Sequence, residues 1–415
     1  MNRRKTGIIG GGASGLMAAI AAADNGKGAG DEVVVLEKKE RIGKKILVTG
    51  NGKCNLTNLS FSMEKIGDYY HGAPEERLHG LFARFSQEDT LKLFHGMGML
   101  TTSREGYVYP LSGQASTVLD TLRFELERLH VRVLTECRIL GIEPRKKGGF
   151  LVRTEEENLH FDRLILACGS PAGQKAGEGM DGYTYAETLG HRVIRPRPAL
   201  TALRCEGDFW KSLAGVRCNA SVSLFISEKE GCYREEGELQ LTDYGISGIP
   251  VFQLSRHASC ALAEGKRVQA RIDFLPSFAD SRKEYERMRE QKISACLGRS
   301  MEVLFCGLVN KKIILALLKR NGLRLQDTVE EGNREKICRV FSDLRDFQVR
   351  VKSVNPFGNA QVCAGGVPLS EVTDRMESVK HPGLYFAGEL LDVDGRCGGY
   401  NLQWAWTSGF LAGKG

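Results

Sequence analysis

Gly10-Gly11-Gly12-Ala13-Ser14-Gly15 follows a short apolar run and opens an alanine-rich one. Gly10, Gly12 and Gly15 fit the spacing G-x-G-x-x-G. The first glycine permits a tight turn, the second lets the backbone approach a pyrophosphate, and the third lets a helix pack closely on a strand. A helix starting there offers unpaired N–H groups and the positive end of its dipole to an anion. Glu37 lies 22 positions after Gly15, near the ~20 at which an acid accepts hydrogen bonds from a ribose. These residues predict dinucleotide binding. A second stretch runs from Thr49 through Gly50, Asn51, Gly52, Lys53, Cys54 and Asn55 to Asn58. Its glycines allow close backbone approach, and its amides both donate and accept hydrogen bonds. Near the other end of the chain, Gly388-Glu389 closes an apolar run, with Asp392 and Asp394 as competing acids. Gly398-Gly399-Tyr400-Asn401 then precedes a helix candidate, whose positive end would favour negative charge on a ligand.

A second glycine match, Gly177-x-Gly179-x-x-Gly182, follows Pro171-Ala172-Gly173 rather than a strand, so it is not read as a separate NAD(P) site. The twelve cysteines are scattered, many within apolar runs, with no CxxC pair. They read as buried thiols rather than disulfides, a redox pair or a metal site.

The elements that must position these residues follow from periodicity. A strand over 6–9, the glycine turn, a helix over 13–24 and a strand over 33–36 give the order a βαβ nucleotide site requires. Val131 and Val133, residues 150–153 and residues 164–167 are expected to continue one sheet. Arg195-Pro196-Arg197-Pro198 marks a boundary. Beyond it, Val216 to Ile226 and Val268 to Phe274 alternate as half-buried strands. From Asp280 to about Asp346 the pattern is helical, and after Asn355-Pro356 glycines and short apolar runs return. Length alone suggests two domains, since single cores stop growing near ~250 to 300 residues. No apolar stretch approaches the ~20 residues of a membrane span, and the start lacks a leader-like apolar region, so a cytoplasmic location is expected. The formal charge of +7 comes from basic residues interleaved with acidic ones, which reads as a solvated surface; neither nucleic acid nor membrane is expected as a partner. No feature sets an oligomeric state.

The segment from Gly43-Lys44-Lys45-Ile46-Leu47-Val48-Thr49-Gly50-Asn51-Gly52-Lys53-Cys54-Asn55-Leu56-Thr57-Asn58 resembles the signature of the BaiN-type, or YhiN-like, FAD-dependent oxidoreductases, often labelled the aminoacetone oxidase family. Val108-Tyr109-Pro110-Leu111-Ser112, Gly245-Ile246-Ser247-Gly248, Ala364-Gly365-Gly366-Val367, Leu384 to Glu389 and Gly398 to Gln403 follow in the same order, so the likeness spans essentially the whole chain. It implies an α/β fold. A discontinuous Rossmann-like FAD/NAD(P)-binding domain (1–195 and 351–415) would be interrupted by an insert over 196–350, β-barrel-like over 196–275 and helical over 276–350. The implied FAD contacts are Gly10, Gly12, Ala13, Ser14, Gly15, Glu37, Lys38, Lys45, Thr49, Gly50, Asn51, Gly52, Cys54, Asn55, Cys168, Gly169, Gly388, Glu389, Gly399, Tyr400 and Asn401. The loop from Thr49 to Asn58 would lie beside the isoalloxazine. Trp404 and Trp406 read as core residues. Where the family commonly has Phe-Thr-His, this chain has Leu241-Thr242-Asp243-Tyr244, with Ile249 before Pro250 and Cys363 in place of a threonine. No catalytic histidine is therefore carried over.

The expected reaction is reduction of FAD by NAD(P)H, docking transiently, and hydride transfer to an electron-poor small molecule such as a conjugated carbonyl. Tyr400, Arg396 and Tyr244 are the candidate proton donors or substrate-positioning groups. An oxygen-using amine oxidase and a flavin-containing RNA-modifying factor are the alternatives.

Overall fold

A computed structural model describes residues 4–26, 30–227, 230–279 and 281–415. Residues 1–3, where the leader reading begins, and Asp280, where the helical pattern begins, lie outside them. The chain divides into two compact units, Met1–Arg197 with Val362–Gly415, and Pro198–Gln361.

The first unit is built on a five-stranded parallel sheet. Its order is Leu384–Phe386, Arg163–Leu166, Lys5–Ile9, Glu32–Leu36, Arg132–Leu134, with Ile8 beside both Ile165 and Val35. Numbered along the chain this is the doubly wound order 5-4-1-2-3. Strand order reverses beside Lys5–Ile9, and ligands bind at the C-terminal strand ends at such a switch point. Both faces are covered, which explains why these strands read as continuous apolar runs, Val33 to Leu36 and Leu164 to Leu166 being buried. Residues 150–153 depart from expectation. Phe150–Thr154 pairs antiparallel with Asn158–Phe161 and Ile139–Pro144 in a separate three-stranded sheet, because connections of a few residues favour antiparallel hairpins.

The first helix, Ala13–Gly26, and the last, Tyr400–Lys414, pack against each other although they come from opposite ends of the chain. Small residues make this possible. A Cβ at Gly409 would collide with the Ser14 carbonyl oxygen, and one at Gly413 would lie 2.5 Å from the Ala18 carbonyl oxygen. Trp404 and Trp406 are buried, and their indole N–H groups donate to the carbonyls of Gly388 (3.1 Å) and Leu56 (3.0 Å).

The second unit is a closed six-stranded barrel of Leu203–Cys205, Gly245–Gly248, Glu230–Thr242, Arg217–Ile226, Val268–Asp273 and Phe347–Val354, in that order around the barrel. Ala220, Val222, Leu224 and Ile226 point inward beside Val268, Ala270 and Ile272. Helices Arg282–Ala295, Lys311–Arg320 and Arg334–Arg345 add Ile293, Ile313, Leu317, Ile337 and Phe341 to the same core. The helical reading of 276–350 ran too far. Phe347, Val349 and Val351 are buried with exposed polar residues between them, so this stretch completes the barrel as a strand. The unit accordingly ends at Gln361, not at 350. Among the described residues, no helix is long and apolar enough to cross a membrane.

Candidate functional site

The glycine turn sits at the end of the central strand and is shaped by collisions that only hydrogen avoids. Gly10 adopts φ 111°, and a Cβ there would strike the Ala167 carbonyl oxygen; one at Gly15 would strike the Gly10 carbonyl oxygen. Gly12 differs, since a Cβ there would meet nothing within 4 Å. The turn is closed on its protein side and open beside Gly12, at the start of the first helix, where the first N–H groups lack intrahelical partners. Glu37 braces the turn: Gly11 N–H donates to one carboxylate oxygen at 2.7 Å and Lys39 N–H to the other at 2.8 Å.

Cys168 and Gly169 follow the neighbouring strand, and Gly388 and Glu389 follow the next one out. They thus meet the glycine turn at the switch point. Glu389 accepts from Lys45 Nζ at 2.6 Å and from Ser170 Oγ at 2.8 Å. Ser170 escaped the sequence reading, although it stands two positions after Cys168. Lys38 and Lys39 form ion pairs with Asp181 and Glu178 at 2.6 and 2.7 Å. Those carboxylates belong to the segment carrying the rejected second glycine match, Glu178 in a loop and Asp181 at the start of a helix. Its Gly182 lies in the helix Asp181–Thr188, packed on Cys168.

The loop from Thr49 to Cys54 has an unusual backbone. Gly50, Asn51, Gly52 and Cys54 all lie at positive φ, from 53° to 83°. Thr49 anchors it by donating to the Ile46 carbonyl and accepting, through its own carbonyl, from Cys54 N–H at 3.0 Å. Asn55 Oδ1 is buried with no hydrogen-bond partner. It faces Gly399, where a Cβ would come within 2.8 Å of it. Gly399, at φ 94°, starts the C-terminal helix without a side-chain cap, which leaves that helix N-terminus available to a ligand.

Burial pushes the Cys54 thiol up to about 11 and the Cys168 thiol up to about 12. Both are therefore neutral packing thiols. Burial likewise lifts the Tyr400 hydroxyl to about 12. The Tyr400 ring stacks on Tyr69 at 5.0 Å within a cluster that includes Phe61 and Tyr70. The Asn401 side chain turns back, bonding Gly395 N–H and the Gly395 and Arg396 carbonyls, so only its backbone is left for a ligand. Asn58 is likewise spent on the Gly398 carbonyl and Ser60 N–H. Arg396 N–H donates to Tyr69 O at 2.9 Å, which places Arg396 beside the Tyr400 cluster. Tyr244 belongs to the barrel unit, where its hydroxyl accepts from Asn355 Nδ2 at 2.9 Å and its ring lies under Arg204.

The family model described as "HI0933-like protein Rossmann domain" matches residues 4–415. The chain belongs to this family. The likeness to the BaiN-type and YhiN-like flavoprotein oxidoreductases is thereby confirmed. The chain is 41% identical over 415 residues to the 3-dehydro-bile acid delta(4,6)-reductase of Clostridium scindens, spanning 100% of this chain and 98% of that one. It is 28% identical over 415 residues to the ribosomal RNA dihydrouridine synthase of Escherichia coli, again spanning 100% and 98%. Among solved structures, the 3-ketosteroid delta1-dehydrogenase of Sterolibacterium denitrificans shares the fold, with a TM-score of 0.52, 13% identity, and coverage of 100% of this chain and 99% of that one.

Proposed function

We propose that the chain is an FAD-dependent reductase that takes electrons from NAD(P)H and delivers a hydride to a carbon–carbon double bond conjugated to a carbonyl in a small molecule. The observation that carries this reading is the assembled glycine turn with Glu37, in a chain 41% identical end to end to a bile acid reductase. Bound FAD supplies a ring that accepts and returns a hydride.

The residues fit that cofactor. The open side of Gly12 and the N–H groups at the start of Ala13–Gly26, with Ala13, Ser14 and Gly15, would hold the pyrophosphate. A carboxylate has about four acceptor positions, so Glu37 can brace Gly11 and Lys39 and still accept from ribose hydroxyls. Lys45, Ser170 and Glu389 form a polar cluster that would orient the middle of the cofactor. The unpartnered Asn55 Oδ1 matches a ring N–H, and the open helix start at Gly399 matches a ring edge that gains negative charge. Tyr400 stays protonated at neutral pH, so it serves as a wall and hydrogen-bond donor, not as a base. Arg396 would offer its planar guanidinium fork to orient a carbonyl oxygen.

The two relatives' names point to one bond type. A steroid carbonyl conjugated to ring double bonds and a uracil ring, whose C5=C6 bond is conjugated to its C4 carbonyl, both present an electron-poor carbon to a hydride. The first relative's identity favours a flat, apolar polycyclic substrate. The 28% relative favours ribosomal RNA as the second reading. An anaerobic absorbance titration with NADH and NADPH tests the shared step: flavin bands should bleach with one donor and recover on adding a conjugated steroid ketone. Recovery with uridine-containing RNA alone would select the second reading. Flavin that resists both donors, with oxygen consumed on adding an amine, would replace reductase by oxidase.

A further inference from the structure

On the barrel, a cleft of about 280 Å³ is lined by Ser221, Ser223, Phe225, Arg234, Arg271 and Arg345, together with Asp273 and Asp346. Ala220, Val222 and Leu224 fill the barrel interior, so the alternate residues Ser221, Ser223 and Phe225 face the other way. The strand register makes the arrangement specific. Ser223 lies opposite Arg234 on one neighbouring strand and opposite Arg271 on the other, at the ~5 Å spacing of directly paired residues. Ser223 is therefore flanked in backbone register by two arginines.

Two of the three arginines are neutralised and locked. Arg271 Nε donates to Asp346 Oδ1 at 2.6 Å while its guanidinium lies over the Phe225 ring. Arg345 Nε donates to Asp273 Oδ2 at 2.8 Å and lies over the Tyr285 ring. The hydrogen bond from Arg271 holds the Asp346 carboxyl below the usual carboxylate range, consistent with a persistent pair. Arg234 is different. Its Nε donates to the buried Ser221 Oγ at 2.7 Å, and among the described residues no carboxylate pairs with it. Among the described residues that line the cleft, Arg234 is thus the guanidinium without a carboxylate partner. Its fork, aimed by a buried serine, opens on a cavity of small-molecule size.

We propose that this cleft is a binding site for a tetrahedral phosphate group, free or carried on a small nucleotide, with the Arg234 fork as principal ligand and the Ser223 hydroxyl as a further donor. A phosphate accepts bidentate bonds from a planar guanidinium.

Calorimetric titration of the full-length protein with inorganic phosphate at low ionic strength is the test. Saturable binding is expected, weakened at least about tenfold in R234Q, the loss expected for a charge-assisted hydrogen bond. R234K should recover part of it, keeping the charge without the fork. S223A, which disturbs no ion pair, is an independent arm expected to weaken binding less. NADP+ that competes with phosphate where NAD+ does not would assign the site to a nucleotide-borne phosphate; binding of phosphate with neither nucleotide competing would assign it to the free ion. Absence of saturable heat in the millimolar range, or binding unchanged in both R234Q and S223A, overturns the proposal. So does an RNA oligonucleotide that binds through Arg234 where inorganic phosphate does not, since that would make the cleft a nucleic-acid surface.

Discussion

Glu37 carries two functions on one carboxylate, bracing the glycine turn and, in the proposed reading, holding a ribose. The bonds it accepts from Gly11 and Lys39 N–H are charge-assisted, each worth about 1.5–3 kcal/mol. E37A should therefore weaken FAD binding by about tenfold or more, read by quenching of flavin fluorescence on titration; undiminished affinity would remove Glu37 from the cofactor site. This residue was legible because the motif demands an acid at a set distance from the third glycine. Ser170 was not, since its role depends on Glu389, 219 residues away. Nor was the turn of the Asn401 amide back onto Gly395 and Arg396, because spacing says nothing of side-chain direction. A second residue-scale prediction concerns His191, whose Nδ1 lies 2.9 Å from Glu371 and Nε2 2.9 Å from Ser378 Oγ. The acceptor Glu371 fixes the neutral tautomer with its proton on Nδ1, so Nε2 accepts from Ser378. Burial lowers the His191 pKa from 6.5, against the opposing pull of Glu371. The unfolded chain then binds a proton the native state resists. Stability should be complete above about pH 6.5 and fall as pH drops below it, by at most about 1.4 kcal/mol per pH unit for one proton. Urea midpoints from pH 7.5 to 5 should show a shallower slope in H191Q; identical slopes would mean that other groups set the acid limb.

At the scale of elements, the contact between the first and last helices couples packing to the site. Ser14 belongs to the glycine motif, and its carbonyl leaves no space for a side chain at Gly409. G409V should separate the two helices at that level, costing about 1–3 kcal/mol as overpacking usually does, and should shift the glycine turn with them. Loss of thermal midpoint together with weaker FAD binding is expected. A G409V protein with a lower midpoint and unchanged affinity would show that the turn is held independently of the C-terminal helix. The βαβ order around Glu37 was legible from period and the glycine turn, and so were the barrel strands with clean alternation. Phe347–Val354 alternates equally well, but it directly follows the helix Arg334–Arg345, and the preceding helical texture masked the change of period. Phe150–Thr154 was recognised as a strand and placed in the wrong sheet. Strand propensity is a local property, whereas pairing partners are set by connections and by which face is buried.

For the whole molecule, the consequence of a discontinuous Rossmann unit is thermodynamic. Its central strand, glycine turn and first helix come from the N-terminal end of the chain, while Gly388, Glu389 and the helix Tyr400–Lys414 come from the C-terminal end. The proposed cofactor contacts are divided between these two segments. Such a ligand binds only after both segments have assembled, so it has little affinity for the unfolded chain and its full binding energy adds to folding stability. Saturation at 100 times Kd should then stabilise the Rossmann unit by about 2.7 kcal/mol, seen calorimetrically as an unfolding transition that moves upward with free FAD concentration. The same reasoning separates FAD from its parts. AMP reaches only the groups contributed by the N-terminal segment, so its Kd should be larger and its shift smaller at equal free concentration. A transition insensitive to FAD would contradict the cofactor assignment itself. A shift as large with AMP as with FAD would leave the glycine turn in place and remove Asn55, Glu389 and Gly399 from the site.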